Sequence, residues 1–194
     1  MVGTLSGEQR EVVAILESNA KMLQERIEGL LGFNAAVFDA RSLKRRVVAE
    51  KAVLDAVLAE HQLQIQGRGL RVTVSGTAPG IDADPDKLQI VFANLIGNAV
   101  SFSPDGGEIR LVLSCVPGQV RIDCIDEGPG VPDEEAERIF EPFFQGRRQA
   151  PLPRKGSGLG LSIVREFVLA HGGRVQLLPT TRGAHFRVEL PHEH

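Results

Sequence analysis

The chain has 194 residues, of which 42% are hydrophobic, and a formal net charge of -3. This length suits one domain, or one domain with an appendage, and the mild acidity excludes the basic surface that non-specific binding of nucleic acid requires. The chain has no apolar run long enough to span a bilayer, no recognisable signal peptide after Met1 and only two cysteines, Cys115 and Cys124, which we predict to be reduced.

The first predicted element is one long amphipathic helix over residues 6–33, and Ser6 and Gln9 mark its start. Apolar residues recur along one face in steps of three and four: Val12, Leu16, Ala20, Leu23, Ile27 and Leu30. A stripe of this kind needs a partner, either other helices in a bundle or the globular part of the same chain. The residues alone leave both open.

Short strands and helices follow from about residue 42. The pattern predicts a strand over 43–49, a helix over 50–66, a strand over 70–75, an apolar helix over 84–103 and a strand pair over 107–126. A loop-rich stretch over 127–158 has one short helical piece, and a helix and two strands close the chain. This order predicts an α+β fold: a two-layer sandwich of a mixed, mostly antiparallel sheet with helices on one face.

A glycine-rich segment, "RKGSGLGLSIV" at residues 154–164, opens the last predicted helix. Glycine is a poor helix former, yet three glycines alternate where the apolar helical run begins. Such a segment exposes backbone N–H groups that can bind phosphate at the helix start, although a plain tight turn has the same pattern. The spacing is not that of a P-loop, because no Gly-Lys-Ser/Thr follows.

Two further motifs favour a ligand site. Asn94 and Asn98 are four residues apart in an apolar helix, so both amides lie on one face, either in a cleft that holds Mg²⁺ and phosphate or facing solvent. Asp126 follows a predicted strand in "DEGPG", where Gly128 and Gly130 would let a ligand approach the backbone. A carboxylate there can accept a hydrogen bond from the exocyclic amine of adenine, although a turn with an incidental acid gives the same pattern.

Four motifs, in this order, resemble those of the ATP-binding domain of sensor histidine kinases. Residues 94–103, 126–130, 139–144 and 156–164 are similar to its N box, first glycine box, F box and second glycine box. The resemblance runs from about residue 42 to Pro191 and extends to the wider family that includes Hsp90, gyrase and MutL. It implies the Bergerat ATP-binding fold, ATP and Mg²⁺ as ligands, and phosphoryl transfer from ATP to a histidine.

The resemblance also implies roles for single residues. Asn94 would bind Mg²⁺, and Asn98 would orient the phosphates. Asp126 would accept a hydrogen bond from the adenine amine, with Gly128 and Gly130 shaping that wall. Residues 131–157 would form a lid that closes over ATP. The backbone of Gly158, Leu159 and Gly160 would bind the phosphates. The lid would be anchored by Phe140, Phe143 and Phe144, and Phe140 and Lys155 would also contact ATP.

Three positions depart from the family pattern. Ser101 stands where a Lys or Arg often faces phosphate, and Gln145 stands where an Arg commonly follows the F box. His185 stands where a Thr or Ser usually helps the aspartate to hold adenine. A cation of the lid would be the substitute for the missing ones, although a solvated loop is rich in charge in the same way: Arg147, Arg148, Arg154 or Lys155.

The helix over 6–33 is similar to the second helix of the kinase dimerisation and phosphoacceptor hairpin, which implies a homodimer through a four-helix bundle. We therefore expect residues 1–41 to be this helix and a linker, and residues 42–194 to be the ATP-binding domain. The phosphoacceptor histidine would lie on the first hairpin helix, so the chain would begin between the two helices. None of the histidines of the chain fits that position: His61, His171, His185, His192 and His194.

Two functions of different class remain compatible with these motifs. The first is the catalytic region of a cytoplasmic histidine kinase, including the cytosolic part of a membrane-anchored sensor, which signals to a response regulator. The second is a degenerate module that binds no nucleotide and serves dimerisation or regulation, as Ser101 and Gln145 would suggest. An anti-sigma-type serine kinase shares the fold, but the bundle-like helix at 6–33 argues against it.

Overall fold

The structure, a computed structural model, describes residues 6–78, 80–147 and 156–192. Its first element is helix α1, Gly7–Ala40, which begins at a capping box. The Ser6 hydroxyl accepts from the Gln9 N–H at 3.2 Å, and the Gln9 side chain accepts from the Ser6 N–H at 2.9 Å. The predicted start is confirmed. The predicted end at residue 33 is wrong, because the following residues up to Ala40 contain no proline and remain helical.

The later helices are shorter. The single helix predicted over 50–66 divides at His61, whose ψ of 0° leaves the helical range. Two single 3₁₀ turns, Asp133–Glu135 and Arg138–Phe140, replace the short helical piece expected before the glycine-rich segment. The helices are α2 Glu50–Glu60, α3 Gln62–Gly67, α4 Pro85–Phe102 and α5 Gly160–Ala170.

The strands are β1 Arg46–Val48, β2 Arg71–Gly76, β3 Ile81–Ala83, β4 Glu108–Val116, β5 Gln119–Ile125, β6 Arg174–Leu178 and β7 His185–Pro191. Five of them form one sheet in the order β2-β4-β5-β7-β6, in which only β2 and β4 run parallel. The mixed, mostly antiparallel sheet is therefore confirmed. Strand β3 was not predicted, and it pairs with β1 in a separate two-stranded sheet.

The two faces of the five-stranded sheet differ. The inner face packs against α4 and α5, and its residues are buried: Ile109, Leu111, Leu113, Val120, Ile122, Cys124, Phe186, Val188 and Leu190. The outer face carries two buried carboxylates, and each is bound by an arginine: Arg187 Nε lies 2.8 Å from Asp123 Oδ1, and Arg121 Nε lies 2.8 Å from Glu189 Oε1. Helices therefore cover one face, as predicted.

The cysteines are reduced and apart. Cys115 is opposite Val120 and Cys124 is opposite Leu111 in the β4–β5 pair, so the two thiols do not face each other. Burial raises the pKa of the Cys124 thiol. Across the described residues, no helix is both long and apolar enough to cross a membrane.

The C-terminal part of α1 packs on the rest of the chain. Lys87 Nζ lies 2.9 Å from Asp39 Oδ2, which ties the end of α1 to the start of α4. At Gly29 the helix comes so close that a Cβ would lie 2.8 Å from the Leu159 side chain. Towards its N-terminus α1 instead exposes its apolar residues, with Leu16 at 61% and Leu23 at 60%. Ile27 at 51% and Leu30 at 45% are exposed as well, so the apolar stripe stays uncovered along its length, and α1 packs on the rest of the chain through other residues.

Candidate nucleotide site

Helix α4 presents the two asparagines side by side. Asp84 caps the helix by accepting from the N–H groups of Asp86 and Lys87, and the apolar residues of α4 turn towards the sheet. Asn94 and Asn98 remain half-buried on the opposite, open side. The Asn94 side-chain N–H donates to the Ile90 carbonyl at 2.8 Å, which leaves its Oδ1 available as an acceptor.

The glycine-rich segment meets this asparagine. A Cβ at Gly160 would lie 2.6 Å from Asn94 Oδ1, so any larger residue there would displace the Asn94 amide. Helix α5 begins at Gly160 and has no side-chain cap, so its first N–H groups are open to a ligand. The acceptor of one helix and the donors of another therefore converge at one point.

Gly158 makes the turn that leads into α5. Its φ of +74° lies in the left-handed region, and its carbonyl accepts from the Phe143 N–H at 2.9 Å. Phe143 is itself at φ +65°, which is unusual for a bulky residue and marks local strain. Leu159 is only 4% exposed because Gly29 of α1 lies against it.

Asp126 lies at the end of β5 and is 5% exposed. Its Oδ1 accepts from the N–H groups of Gly128 at 2.7 Å and Ala184 at 3.1 Å. Burial raises the pKa of this carboxyl, and the two backbone hydrogen bonds oppose that shift. Within the described residues Oδ2 accepts no hydrogen bond, so one oxygen remains for a ligand donor.

The F box and the first glycine box lie beside this carboxylate. Phe140 is buried, and its ring packs edge-on against Phe186 with centroids 6.3 Å apart, as expected for an anchor of the lid. Gly130 and Val131 line a cavity of about 280 Å³ that extends to the β6–β7 turn. A larger groove of about 490 Å³ lies between β1 and α2 and involves none of the predicted site residues.

Two side chains hold the described part of the lid. Glu135 is buried and accepts from the Arg147 N–H at 3.2 Å, and the Gln145 side chain donates to the Gly156 carbonyl at 2.6 Å. Gln145, at the position where the family commonly has an arginine, therefore binds a backbone carbonyl next to the glycine-rich segment. Three predicted lid cations, Arg148, Arg154 and Lys155, lie outside the described residues.

The structure places the ring of His185 away from Asp126. Its Nε2 lies 2.6 Å from Asp123 Oδ1 on the outer face of the sheet, so the ring does not reach Asp126. The backbone N–H of Ala184, the residue before β7, donates to Asp126 Oδ1 instead. The sequence pattern predicted this strand but not which of its residues face the site.

Sequence reasoning missed Arg68, which caps the far end of α4. Its side chain is 9% exposed and donates to the Ser101 carbonyl at 3.2 Å, to the Ser103 carbonyl at 2.5 Å and also to the Val100 carbonyl. A cation at the C-terminus of a helix satisfies carbonyls that have no partner inside the helix. No local signal links residues more than thirty positions apart.

The arrangement fits a complex of ATP and Mg²⁺. Amide and phosphate oxygens are hard ligands of the kind that Mg²⁺ prefers. The uncapped N–H groups of α5 suit phosphate, and the unshared oxygen of Asp126 suits an amine. Asn94 and the start of α5 meet where the two helices pack together, and Asp126 lies at the end of β5, a strand that α4 also contacts.

Comparison with known proteins supports this description. The model of the histidine kinase-, DNA gyrase B- and HSP90-like ATPases matches residues 83–194. Sensor histidine kinase GlrK of Escherichia coli is 38% identical over 98% of this chain, which spans 40% of GlrK.

Solved structures agree. Full-length ShkA, crystallised in complex with AMPPNP, has a TM-score of 0.73 and 32% identity over 97% of this chain and 40% of its own. Histidine kinase ThkA, in complex with the response regulator protein TrrA, has a TM-score of 0.71 over 98% of this chain and 53% of its own. At 21% identity ThkA shows likeness of fold alone.

Proposed function

Because the chain belongs to the histidine kinase-, DNA gyrase B- and HSP90-like ATPase family, we propose that it is the ATP-binding catalytic region of a sensor histidine kinase. It donates the γ-phosphate of ATP to a histidine of the kinase that none of its own five histidines supplies. The activity of a whole kinase is part of this proposal, since the chain spans 40% of GlrK. The contact between Asn94 Oδ1 and Gly160 at the uncapped start of α5 is the observation that carries it.

Different residues of the site bind the adenine base and the phosphates. Asp126 accepts from the exocyclic amine of adenine through Oδ2, while Gly128 and Ala184 hold Oδ1 in place. Transfer of a phosphoryl group depends mainly on positioning and on neutralising charge, so no acid–base pair is needed beside the phosphates.

The residues that bind Mg²⁺ and the phosphates lie on α4 and at the start of α5. Asn94 binds Mg²⁺ through Oδ1, and Asn98 orients the phosphates. The N–H groups of Gly158, Leu159 and Gly160 bind the phosphate oxygens. Mg²⁺, when bound, neutralises charge on the β- and γ-phosphates.

The remaining parts of the proposal concern the whole kinase. Residues 1–41 are the second helix of a dimerisation hairpin and its linker, and residues 42–194 are the ATP-binding domain, with Lys155 as a lid contact. The uncovered apolar stripe of α1 supports a homodimer, because such a face needs a partner. A response regulator receives the phosphoryl group, as the partner of ThkA suggests, and the region works in the cytoplasm.

A degenerate module without nucleotide is not favoured. The departures that suggested it, Ser101 and Gln145, form hydrogen bonds of their own to the Gly97 and Gly156 carbonyls and leave the site open. The acceptor of Asp126, the asparagine pair and the glycine contact are all retained.

Calorimetric titration of the chain with Mg-ATP and Mg-ADP tests the proposal. We expect micromolar to sub-millimolar binding that Asp126→Asn abolishes. Asp55→Asn, an exposed aspartate on α2 that pairs with Lys51, is the matched control and should bind as the unmodified chain does. Absence of binding at millimolar nucleotide would exclude the proposal.

Phosphoryl transfer needs a second measurement. In a full-length kinase that contains this sequence, labelled γ-phosphate should appear on protein as an acid-labile phosphohistidine. Asp126→Asn should abolish the label and Asp55→Asn should retain it. Nucleotide binding without any phosphohistidine would leave an ATP-binding regulatory region instead.

A further inference from the structure

The F box and the glycine-rich segment lie backbone to backbone. A Cβ at Gly158 would come within 2.9 Å of backbone atoms of Phe143 and Phe144. Across this contact the Phe143 N–H donates to the Gly158 carbonyl at 2.9 Å. A second bond joins the same two segments, because the Gln145 side-chain amide donates to the Gly156 carbonyl at 2.6 Å. The carbonyls of Gly156 and Gly158 are therefore both turned towards the F box.

The direction of these two carbonyls fixes the direction of the next two N–H groups. The C=O and the N–H of a planar trans peptide point to opposite sides, and the described chain contains no cis peptide. The Ser157 N–H therefore points away from Gln145, and the Leu159 N–H points away from Phe143. Neither N–H has a hydrogen-bond partner among the residues that the structure describes. Two backbone donors are thus held in a fixed direction and left open.

The backbone that carries Gln145 is anchored. Glu135 is buried, and its Oε1 accepts from the Arg147 N–H at 3.2 Å, which closes the chain between these two residues into a loop. Gly146 makes room for this carboxylate, since a Cβ there would lie 2.7 Å from Glu135 Oε2. The amide of Gln145 therefore extends from a fixed point of the F box towards the glycine-rich segment.

Gly156, by contrast, has little else to hold it. It is exposed and lies before the start of α5, and a Cβ added to it would meet no atom of the described chain within 4 Å. The Gln145 amide is the side-chain group that binds its carbonyl. Loss of this amide frees the peptide between Gly156 and Ser157, whereas the bond from Phe143 to Gly158 is backbone and stays.

We infer that Gln145 is a positioning residue for phosphate, because it holds this peptide so that the Ser157 N–H donates to a phosphate oxygen of the bound nucleotide. Gln145 acts through the backbone of the glycine-rich segment and does not touch the nucleotide itself. An N–H that donates to a charged oxygen makes a stronger bond than one that donates to a neutral acceptor. This inference rests on the proposed function and adds one donor to the same site.

The test replaces Gln145 by methionine, a side chain of similar length without an N–H donor. The isotope-labelled chain is titrated with Mg-ATP and, separately, with adenosine, which has no phosphate, while the backbone amide signals are followed by NMR. In the unmodified chain the Ser157 and Leu159 signals should shift with ATP but not with adenosine. In Gln145→Met the Ser157 shift should be lost and the Leu159 shift kept.

The same titrations give the affinities. We expect Gln145→Met to raise the Kd for ATP about three- to tenfold, the range for losing one hydrogen bond to a charged group. The Kd for adenosine should change less than twofold. Because Gln145 is exposed, urea denaturation should give the same free energy of unfolding for the variant and the unmodified chain.

Gln89→Met is the matched control. The Gln89 side-chain amide, on α4, donates to Glu60 at 2.8 Å, so this variant loses a hydrogen bond of the same kind outside the glycine-rich segment. Both Kd values and the Ser157 shift should be those of the unmodified chain.

Equal weakening of ATP and adenosine by Gln145→Met would assign the side chain to the general structure of the site and overturn the inference. An unchanged Kd for ATP would overturn it as well, as would a Ser157 signal that ignores ATP in the unmodified chain. Each of these results leaves the proposed function intact. If the unmodified chain bound neither ATP nor adenosine, the proposed function itself would fail, and the inference with it.

Discussion

Asp126 is buried at a cost to the folded chain. Its pKa is raised because burial destabilises the ionised carboxylate in the folded chain. The protonated carboxyl therefore favours the folded state at low pH, and this contribution to stability is lost as the pH rises through the folded pKa. A buried carboxylate of this kind is what the proposed contact with adenine requires.

We therefore expect Asp126→Asn to raise the free energy of unfolding by about 0.5–2 kcal/mol while it abolishes nucleotide binding. An asparagine oxygen can keep both hydrogen bonds, from Gly128 and Ala184, because both end on the same Oδ1. Urea denaturation near pH 7 measures the change. A clear loss of stability would mean that the carboxylate has a structural role.

His171 predicts a pH dependence of opposite sign. The buried ring donates from Nδ1 to the Phe167 carbonyl at 2.6 Å and accepts at Nε2 from the Asp84 N–H at 3.0 Å, which only the neutral ring can do. Burial lowers its pKa from 6.5. The neutral ring thus stabilises the fold above about pH 6.5, and this contribution is lost as the pH falls towards and through the folded pKa.

Between pH 7 and pH 5.5, the unmodified chain should lose stability with a slope of at most about 1.4 kcal/mol per pH unit from this one proton. His171→Gln gains no proton, so its stability curve should be flatter over the same range. Thermal melting at several pH values compares the two. Parallel curves would contradict the assignment.

At the level of single residues, the sequence indicated chemistry but not orientation. Asn94, Asp126 and Gly160 were proposed as ligand-binding residues from residue type and spacing, because each type suits one ligand group. The sequence did not show which face of the sheet His185 occupies, because a shift of one residue along a strand reverses the face.

Among the elements, α4 is the one that depends most on a distant residue. Arg68 satisfies carbonyls at its C-terminus, and a buried carbonyl without a partner costs about 1–3 kcal/mol. We expect Arg68→Ala to lower the free energy of unfolding by about 2–4 kcal/mol. Arg71→Ala, at an exposed position on β2, should change it by less than about 0.5 kcal/mol.

Chemical denaturation of both variants provides the measurement. Equal effects at the two positions would show that the cap contributes no more than an ordinary surface arginine. A loss confined to Arg68→Ala should be accompanied by weaker nucleotide binding, because Asn94 and Asn98 lie on the same helix.

The ends of the helices show which boundaries a sequence pattern can predict. The start of α1 was predictable because a capping box is local, and its end was not, because helix propensity continues past Phe33. The division between α2 and α3 at His61 has no local breaker. Periodicity could not locate it, since the break lies where the chain turns to pack on α4.

For the whole molecule, the fold class could be derived from the order of strands and helices, but the contacts between distant segments could not. β1 and β3 are too short to give a pattern. The approach of Gly29 to Leu159 joins residues 130 positions apart, and neither carries a signal of it.

The uncovered stripe of α1 predicts the oligomeric state. Leu16→Asp and Leu23→Asp together should convert a dimer into a monomer, because a charge in a packed apolar seam loses its hydration without gaining a partner. Light scattering after size-exclusion chromatography gives the mass. Leu63→Asp on α3 is the control, because that leucine is 85% exposed outside the stripe and should not affect the mass.

The two attachments of α1 give it the mechanics of a lever. With 1.5 Å of rise per residue, about 15 Å separate the contact at Gly29 from the ion pair at Asp39, and about 33 Å separate Gly29 from the far end at Gly7. If Gly29 is the fulcrum, a sideways movement of about 2 Å at the far end displaces Asp39 by about 1 Å. A displacement of that size lengthens the 2.9 Å contact with Lys87 beyond hydrogen-bonding range. A small movement at the N-terminal end of α1 can therefore break a contact at the start of α4.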